Sequence, residues 1–268
     1  MLTRRRLFSC GPLSIVDVAC RSGRSSWSSA ESTEGYGVVF VRSGCFRRRV
    51  SGIDAFLDAA VAYFERPGDE QQVEHPSDGG DTCTGIELAP ELLASIAGGD
   101  LGLPTRLVFT GPALDLTHRM LLAHVRRGGD AFEASERALE LVAATVEAVD
   151  AERVAAGRPA TVRSRRQIVD AARERLALEP ATDLFELAAA VATSPHHLSR
   201  IFRALTGETV SGYRNRLRVR IALERLSEGE PNLARLAAEL GFADHAHLTR
   251  TMRRVLGATP SALRAQLV

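Results

Sequence analysis

Two stretches in the last third of the chain repeat one another about 50 residues apart, and this repeat constrains the fold more than any other feature. Leu184-Phe-Glu-Leu-Ala-Ala-Ala-Val191 matches Leu233-Ala-Arg-Leu-Ala-Ala-Glu-Leu240, and Leu198-Ser-Arg-Ile-Phe-Arg203 matches Leu248-Thr-Arg-Thr-Met-Arg253. Gly207-Glu-Thr-Val-Ser211 matches Gly257-Ala-Thr-Pro-Ser261, and Arg214 falls on Arg264. The second copy carries one extra residue in its turn, Gly241 to Asp244. A duplicated pattern of this length implies one supersecondary unit built twice.

Each copy reads as a short helix, a turn and a second helix. Asp183 suits an N-cap with Glu186 three residues on, a capping box. Leu184, Leu187, Ala188 and Val191 form its inward face. Thr193-Ser194 makes the turn, with Ser194 as N-cap and Pro195 at the first helical position, where its missing N–H costs nothing. The second helix stops at Gly207. Leu198, Ile201, Phe202 and Leu205 recur at i, i+3, i+4 and i+7 and predict its core side, while His196, Ser199, Arg200 and Arg203 recur likewise on the opposite side. In the second copy Leu248, Thr251, Met252 and Val255 are expected inside and Ala246, Thr249, Arg250 and Arg253 outside, with Gly257 closing the helix. The units span 183–206 and 232–256. Between them Val210 to Leu226 predicts one helix after a Thr209 N-cap, with Tyr213, Leu217 and Ile221 on one side. Its Arg214, Arg216, Arg218 and Arg220 suit either a solvated surface or phosphate contacts.

A helix pair whose second member has a polar, arginine-bearing outer face is the helix-turn-helix pattern, and double-stranded DNA is the partner it fits. Arg binds guanine O6 and N7 together, and Ser, Thr and His supply single hydrogen bonds. The candidate DNA-binding residues are therefore His196, His197, Ser199, Arg200 and Arg203, then His245, Ala246, His247, Thr249, Arg250 and Arg253. The four histidines at the helix starts either reach bases or merely cap and pack. Charge agrees with the DNA reading. The net charge is +1, but residues 161–268 hold 17 Arg against 11 acidic residues, leaving −5 on the first 160. Every basic residue is Arg and none is Lys.

The first 112 residues read differently. Met1 to Cys20 reads as a basic tail running into a first strand. Arg4-Arg5-Arg6 resembles an export signal only faintly, because Gly11, Pro12 and Asp17 interrupt the apolar run. Arg21 to Gly35 suggests an exposed loop. Gly37 to Arg42 and Phe46 to Val50 suggest a hairpin about Ser43-Gly44, and Ile53 to Phe64 suits strand or helix. Arg66 to Asp69 reads as a turn, Gln71 to Glu74 as a short polar strand, Pro76 to Asp81 as a loop, and Thr82 to Leu88 as a strand. Short strands with turn residues between them predict a small barrel or jelly roll. Leu114 to Arg127 then predicts a helix with Leu114, Thr117, Leu121 and Val125 along one stripe. Asp130 begins a second, reaching about Ala155. Its Phe132, Leu139, Val142, Val146 and Val149 suit either a homodimer seam through residues 130–155 or packing on its own domain. Gly157-Arg-Pro159 reads as a linker. The expected division is a β domain over 1–112, helical linker or dimerisation elements over 113–158, and an all-α domain over 161–268, an α+β chain. Cys10, Cys20, Cys45 and Cys83 form no C-x-x-C pair and have no His at metal-ligand spacing, so reduced thiols, no metal and no cofactor are expected.

The region from about Ser164 to Leu267 resembles the AraC/XylS-type DNA-binding domain, through Leu236-Ala-Ala-Glu-Leu-Gly-Phe242, Leu248-Thr-Arg250 and Gly257-Ala-Thr-Pro-Ser261 to Arg264. The family usually has Phe where this chain has Met252. The resemblance implies that the second helix of each unit enters a DNA groove. It also implies a cytoplasmic activator that contacts RNA polymerase and responds to a small effector, with no membrane partner. The N-terminal segment resembles the family's cupin-like sensor domain around Arg66-Pro-Gly-Asp69, His75-Pro76 and Gly79-Gly80-Asp81. The alternative, a metal-dependent cupin enzyme fused to a DNA-binding module, needs clustered ligands. His75 is the only His before residue 110, so a non-enzyme is expected.

Overall fold

The computed structural model describes residues 2–21, 23–97, 107–151 and 159–267. The chain divides into two compact units, Met1–Ala151 and Glu152–Gln266. Gly157 and Arg158 of the expected linker lie outside the described residues.

The first unit runs β1 (Leu2–Cys10), β2 (Leu13–Cys20), β3 (Glu31–Ser32), β4 (Tyr36–Val50), β5 (Ile53–Asp58), β6 (Val61–Glu65), β7 (Glu70–Glu74), β8 (Asp81–Leu88), α1 (Pro90–Ile96), β9 (Val108–Phe109), α2 (Pro112–Arg126) and α3 (Ala131–Ala151). The strands order as β1-β2-β8-β4-β6-β9, and β5 and β7 pair with the second half of β4. All of these ladders are antiparallel. The basic N-terminus is not a tail, since Arg4, Arg5 and Arg6 lie within β1 and pair with Val18, Asp17 and Val16.

Ser43-Gly44 makes no hairpin. Residues 36–50 form one strand that bulges between Val41 and Ser43 and passes from one sheet to the other. Gly44 has φ +74°, and a Cβ there would lie 2.1 Å from Gly80 O, so a neighbouring loop already fills the space. Alongside it the chain turns the same corner at Ala59-Ala60, where Ala60 N donates to Asp58 Oδ1 at 2.8 Å. Ile53 to Phe64 is thus two strands on different sheets, a corner of the kind that lets strands switch layers.

This geometry explains the unbroken Val38-Val-Phe-Val41 run. Val38 and Phe40 join Ile15, Phe64 and Ile86 in a core covered by Leu93 of α1, Leu121 and Leu122 of α2, and Leu141 and Val142 of α3. Val39 and Val41 face the other way, onto Phe46, Leu57, Tyr63 and Cys83. A strand buried on both faces loses its polar alternation. Thr117 is exposed, and His118 takes its expected place inside α2. In α3 the buried side is Ala134, Ala138, Leu141, Val142 and Thr145, with Leu139, Val146 and Val149 packed beside it on this unit's own core. Phe132 is 78% exposed and stands outside that packing.

The second unit is all helix: α4 (Pro159–Leu178), α5 (Leu184–Ala190), α6 (Pro195–Thr206), α7 (Val210–Ser227), α8 (Leu233–Glu239), α9 (His245–Leu256) and α10 (Pro260–Leu267). α4 has no clear apolar stripe in the sequence, although Val169, Ala172, Arg173 and Leu176 recur at helical spacing and are all buried. Arg at an inward position hides that stripe. Arg173 is accommodated because its Nε donates to Tyr213 Oη at 2.9 Å and its Nη1 to Asp170 at 3.1 Å.

Candidate nucleic-acid interface

The two helix-turn-helix units are assembled by matching devices. Asp183 accepts from Phe185 N and Glu186 N, and Glu186 reaches back to Asp183 N, completing the capping box. Ser194 Oγ accepts from His197 N at 3.2 Å to start α6, and Asp244 Oδ1 accepts from His247 N at 2.6 Å to start α9. Gly207 and Gly257 end the two helices in the left-handed conformation, with φ +77° and +75°. The turn before each helix uses the same backbone conformation at Ala192 (φ +50°) and Gly241 (φ +71°).

The seating of each unit was only partly legible. Arg214 Nη1 donates to Thr182 O at 2.9 Å, and Arg264 Nη2 donates to Glu230 O at 2.6 Å. Each copy therefore ties the helix after its second member to the backbone ahead of its first. In the second copy Glu230 is also a hub. Its carboxylate accepts from Asn232 N at 3.0 Å and from Arg235 at 3.0 and 2.8 Å, and pairs with Arg225. The Asn232 N–H first, then the arginines, hold that carboxyl down to about 2.

The arginines of α7 correct both sequence readings. Arg216, Arg218 and Arg220 are buried, neither solvated nor open to phosphate. Arg216 pairs with Glu208. Arg218 donates to Pro180 O through Nε at 2.8 Å and Nη2 at 2.5 Å. Burial, then the Arg214 charge, lowers Arg218 to about 10, which leaves it cationic at neutral pH. α7 is a strut of 18 residues, about 27 Å long at 1.5 Å per residue.

The arginines of the outer faces are exposed as the pattern expects, while Ser199, Ala246 and Thr249 are half-buried. Leu198, Ile201 and Phe202 are buried in α6, and Leu248, Thr251 and Met252 in α9. Phe202 packs edge-on against Tyr213, ring centres 5.2 Å apart. Arg200, Arg203, Arg250 and Arg253 are exposed, at equal positions in the two helices. A helix-turn-helix domain family matches residues 187–266. The regulatory protein Ada of Salmonella typhimurium is 41% identical over 78 residues, 29% of this chain and 22% of that protein. An AraC-like transcription regulator of Streptomyces antibioticus is 34% identical over 79 residues, 30% of this chain and 26% of that one.

The C-terminal unit holds an AraC-type helix-turn-helix domain.

The chain spans about a quarter of the length of these curated relatives. Among solved structures, apo ToxT of Vibrio cholerae aligns over 97% of this chain and 99% of its own, at 10% identity and a TM-score of 0.39. A cupin 2 conserved barrel domain protein of Salinispora arenicola aligns over 37% of this chain and 85% of its own, at 16% identity and a TM-score of 0.29.

Within the AraC-type domain the remaining site residues differ in freedom. His196 and His245 are exposed. His197 is half-buried, its Nδ1 3.4 Å from Arg200 Nη2. His247 braces its own turn: Nδ1 accepts from Ala243 N at 3.4 Å, and the ring stands edge-on to Phe242 at 5.3 Å. Ser199, Ala246 and Thr249 are half-buried, and Thr249 Oγ1 donates to His245 O at 2.9 Å. Asp244 was missed as a cap although a carboxylate at that position is a common one. The His247 N–H first, then the Arg250 charge, lowers its carboxyl.

The first unit carries two features of its own. A cleft of about 810 Å³ is lined by Arg6, Glu31, Tyr36, Glu65 and Gln71, and burial raises the Glu65 carboxyl. Below the β4 corner, Cys20, His75 and Asp81 converge, their donor atoms all within 4.8 Å of one another. The sequence spacing had suggested no such meeting. It arises because Cys20 of β2 pairs with Asp81 of β8 and the loop carrying His75 folds back beside them. Among the described residues no helix is long and apolar enough to cross a membrane.

Proposed function

We propose that this chain is a sequence-specific DNA-binding regulator of transcription. The observation that carries the reading is the duplicated exposed surface: Arg200 with Arg203 on α6, and Arg250 with Arg253 on α9, each on a helix whose opposite side buries Leu198, Ile201 and Phe202 or Leu248, Thr251 and Met252. α7 packs against both α6 and α9. At about 27 Å it is a strut of the scale needed to present two helices to major grooves about 34 Å apart. His196, Ser199, His245, Ala246 and Thr249 share that surface, while His197 and His247 act first as props for it. Arg200 and Arg250 are the residues we assign to bases, since Arg reads guanine O6 and N7 together. In this role the protein binds and does not catalyse. The cleft beside Arg6 and Glu65 is the place we assign to a small polar effector, and contacts with RNA polymerase or a second copy would follow from DNA binding.

Sites selected from random DNA should hold two half-motifs about 10 bp apart. On that DNA, Arg200→Ala and Arg250→Ala should each weaken binding by about 1–3 kcal/mol and relax sequence preference at one half-motif. Affinity should also fall steeply with added salt. Affinity indifferent to both substitutions would overturn the assignment.

A further inference from the structure

We propose that Cys20, His75 and Asp81 form a binding site for one divalent cation of the zinc class. The three donors come from three separate places in the fold: the end of β2, the loop after β7, and the start of β8. His75 and Asp81 are buried, with side chains 7% exposed each, and Cys20 is half-buried. His75 Nε2 lies 2.7 Å from Asp81 Oδ1, so the ring already points its ligating nitrogen at the carboxylate. Its other nitrogen, Nδ1, lies 3.5 Å from Ser25 Oγ, whose hydroxyl also accepts from His75 N at 3.3 Å. Once the ring carries its proton on Nδ1, that N–H faces Ser25 Oγ and Nε2 offers its lone pair to the metal, the hydrogen bonding that orients a ligating histidine.

Backbone geometry holds the cluster. Gly80 has φ +67°, and a Cβ there would lie 1.8 Å from Cys20 O. Gly44 is as tightly placed against Gly80, its added Cβ 2.1 Å from Gly80 O. The glycines let the loop before β8 and the β4 corner close against Cys20 and Asp81, and the β2–β8 pairing sets those two residues opposite one another. A tetrahedral ion with bonds of about 2.0–2.3 Å needs its donors about 3.3–3.8 Å apart. Donors no more than 4.8 Å apart reach that spacing with movements of about an ångström. The ion replaces the His75–Asp81 hydrogen bond, the ring proton passing from Nε2 to Nδ1 through solvent, and binding releases the Cys20 proton. One thiolate and one carboxylate then cancel its two charges, which is what burial demands. A mixed sulfur, nitrogen and oxygen set suits zinc over magnesium or calcium. Three protein donors leave the fourth position to water or a small ligand.

The test uses the full chain, stripped of metal and titrated with Zn²⁺ alone or with Co²⁺ as a spectroscopic substitute. One equivalent of Zn²⁺ should bind and raise the melting temperature of the β unit, as binding to the folded state must. Co²⁺ should give an intense thiolate-to-metal charge-transfer band with tetrahedral ligand-field absorption. Cys20→Ser and His75→Gln should abolish the band and weaken Zn²⁺ binding at least tenfold, whereas Cys10→Ser should preserve both. If either site variant fails to fold, the Co²⁺ spectrum of the unaltered chain decides. Absence of a thiolate band, less than stoichiometric Zn²⁺, or binding unchanged in Cys20→Ser would each overturn the site. None of these readouts involves DNA, so the result stands apart from the regulatory reading.

Discussion

The turn residues Ala192 and Gly241 allow a reciprocal experiment. Both occupy the left-handed region, where an L-residue costs about 1–2 kcal/mol. Replacing glycine by alanine returns about 0.4–1 kcal/mol by restricting the unfolded chain. Gly241→Ala also meets a wall: its new Cβ would lie 3.0 Å from Arg218 Nη2 and 3.1 Å from Ala181 Cβ. Arg218 cannot swing aside cheaply, because both Nε and Nη2 are held by Pro180 O. The net expectation is a loss of about 1–2 kcal/mol. Ala192→Gly runs the other way and should leave stability unchanged or raise it by up to about 1 kcal/mol. Calorimetry of the full chain, following the transition of the helical unit, reads both, since 1 kcal/mol moves a domain of about 100 residues by roughly 4 °C or more. Gly241→Ala should lower that transition and Ala192→Gly should not. Equal shifts in one direction, or no effect at Gly241, would refute the argument that the two turns share one backbone conformation under different steric limits.

Other consequences are as open to measurement. The Glu230 carboxyl sits at about 2, below its ordinary value, so its contribution is full above the ordinary value and fades as pH falls toward 2. Urea titrations across that acid window should show the fall, and Glu230→Gln should be less stable at neutral pH with a flatter acid response. Met252 is fully buried, so Met252→Ala should cost about 2–5 kcal/mol and Met252→Leu less than about 1.5 kcal/mol by denaturant melts. Arg218→Met removes two charge-assisted bonds to Pro180 O and should destabilise by about 1.5–3 kcal/mol; a gain in stability would show that the guanidinium was a burden. Phe132→Ser removes an exposed ring and should leave the melting temperature unmoved, while a change in sedimentation would report a partner seated there.

What could be read in the sequence depended on whether local chemistry settled it. Ser194, Pro195 and Gly207 have one energetically sensible placement each, so the boundaries of α6 followed from the residues. The duplicated turn at 241–244 followed from alignment of the copies. The apolar run at 38–41 could be read as a strand, but its two-sided burial depended on helices supplied from residues 90–151. Ser43-Gly44 has hairpin chemistry and makes a bulge, because the Gly80 loop occupies the space that a reversal needs. Arg216, Arg218 and Arg220 misled most. An arginine is buried only where distant carbonyls, hydroxyls or carboxylates are ready for it, and Pro180, Tyr213 and Glu208 are such partners. Cys20 and Asp81 are opposite one another only once β2 has paired with β8. Long-range pairing of that kind leaves no mark in spacing.

Ser194 and Asp244 make the starts of α6 and α9 chemically unequal. One begins at a neutral hydroxyl, the other at a carboxylate held ionised by its own helix. A phosphate oxygen can settle against the mouth of α6 without opposition, but at α9 it meets fixed negative charge. On the regulatory reading, backbone grip would concentrate on the first half-motif, while the second would depend on its bases to hold Arg250. An operator drifting by mutation should then forgive errors in one half more readily than in the other.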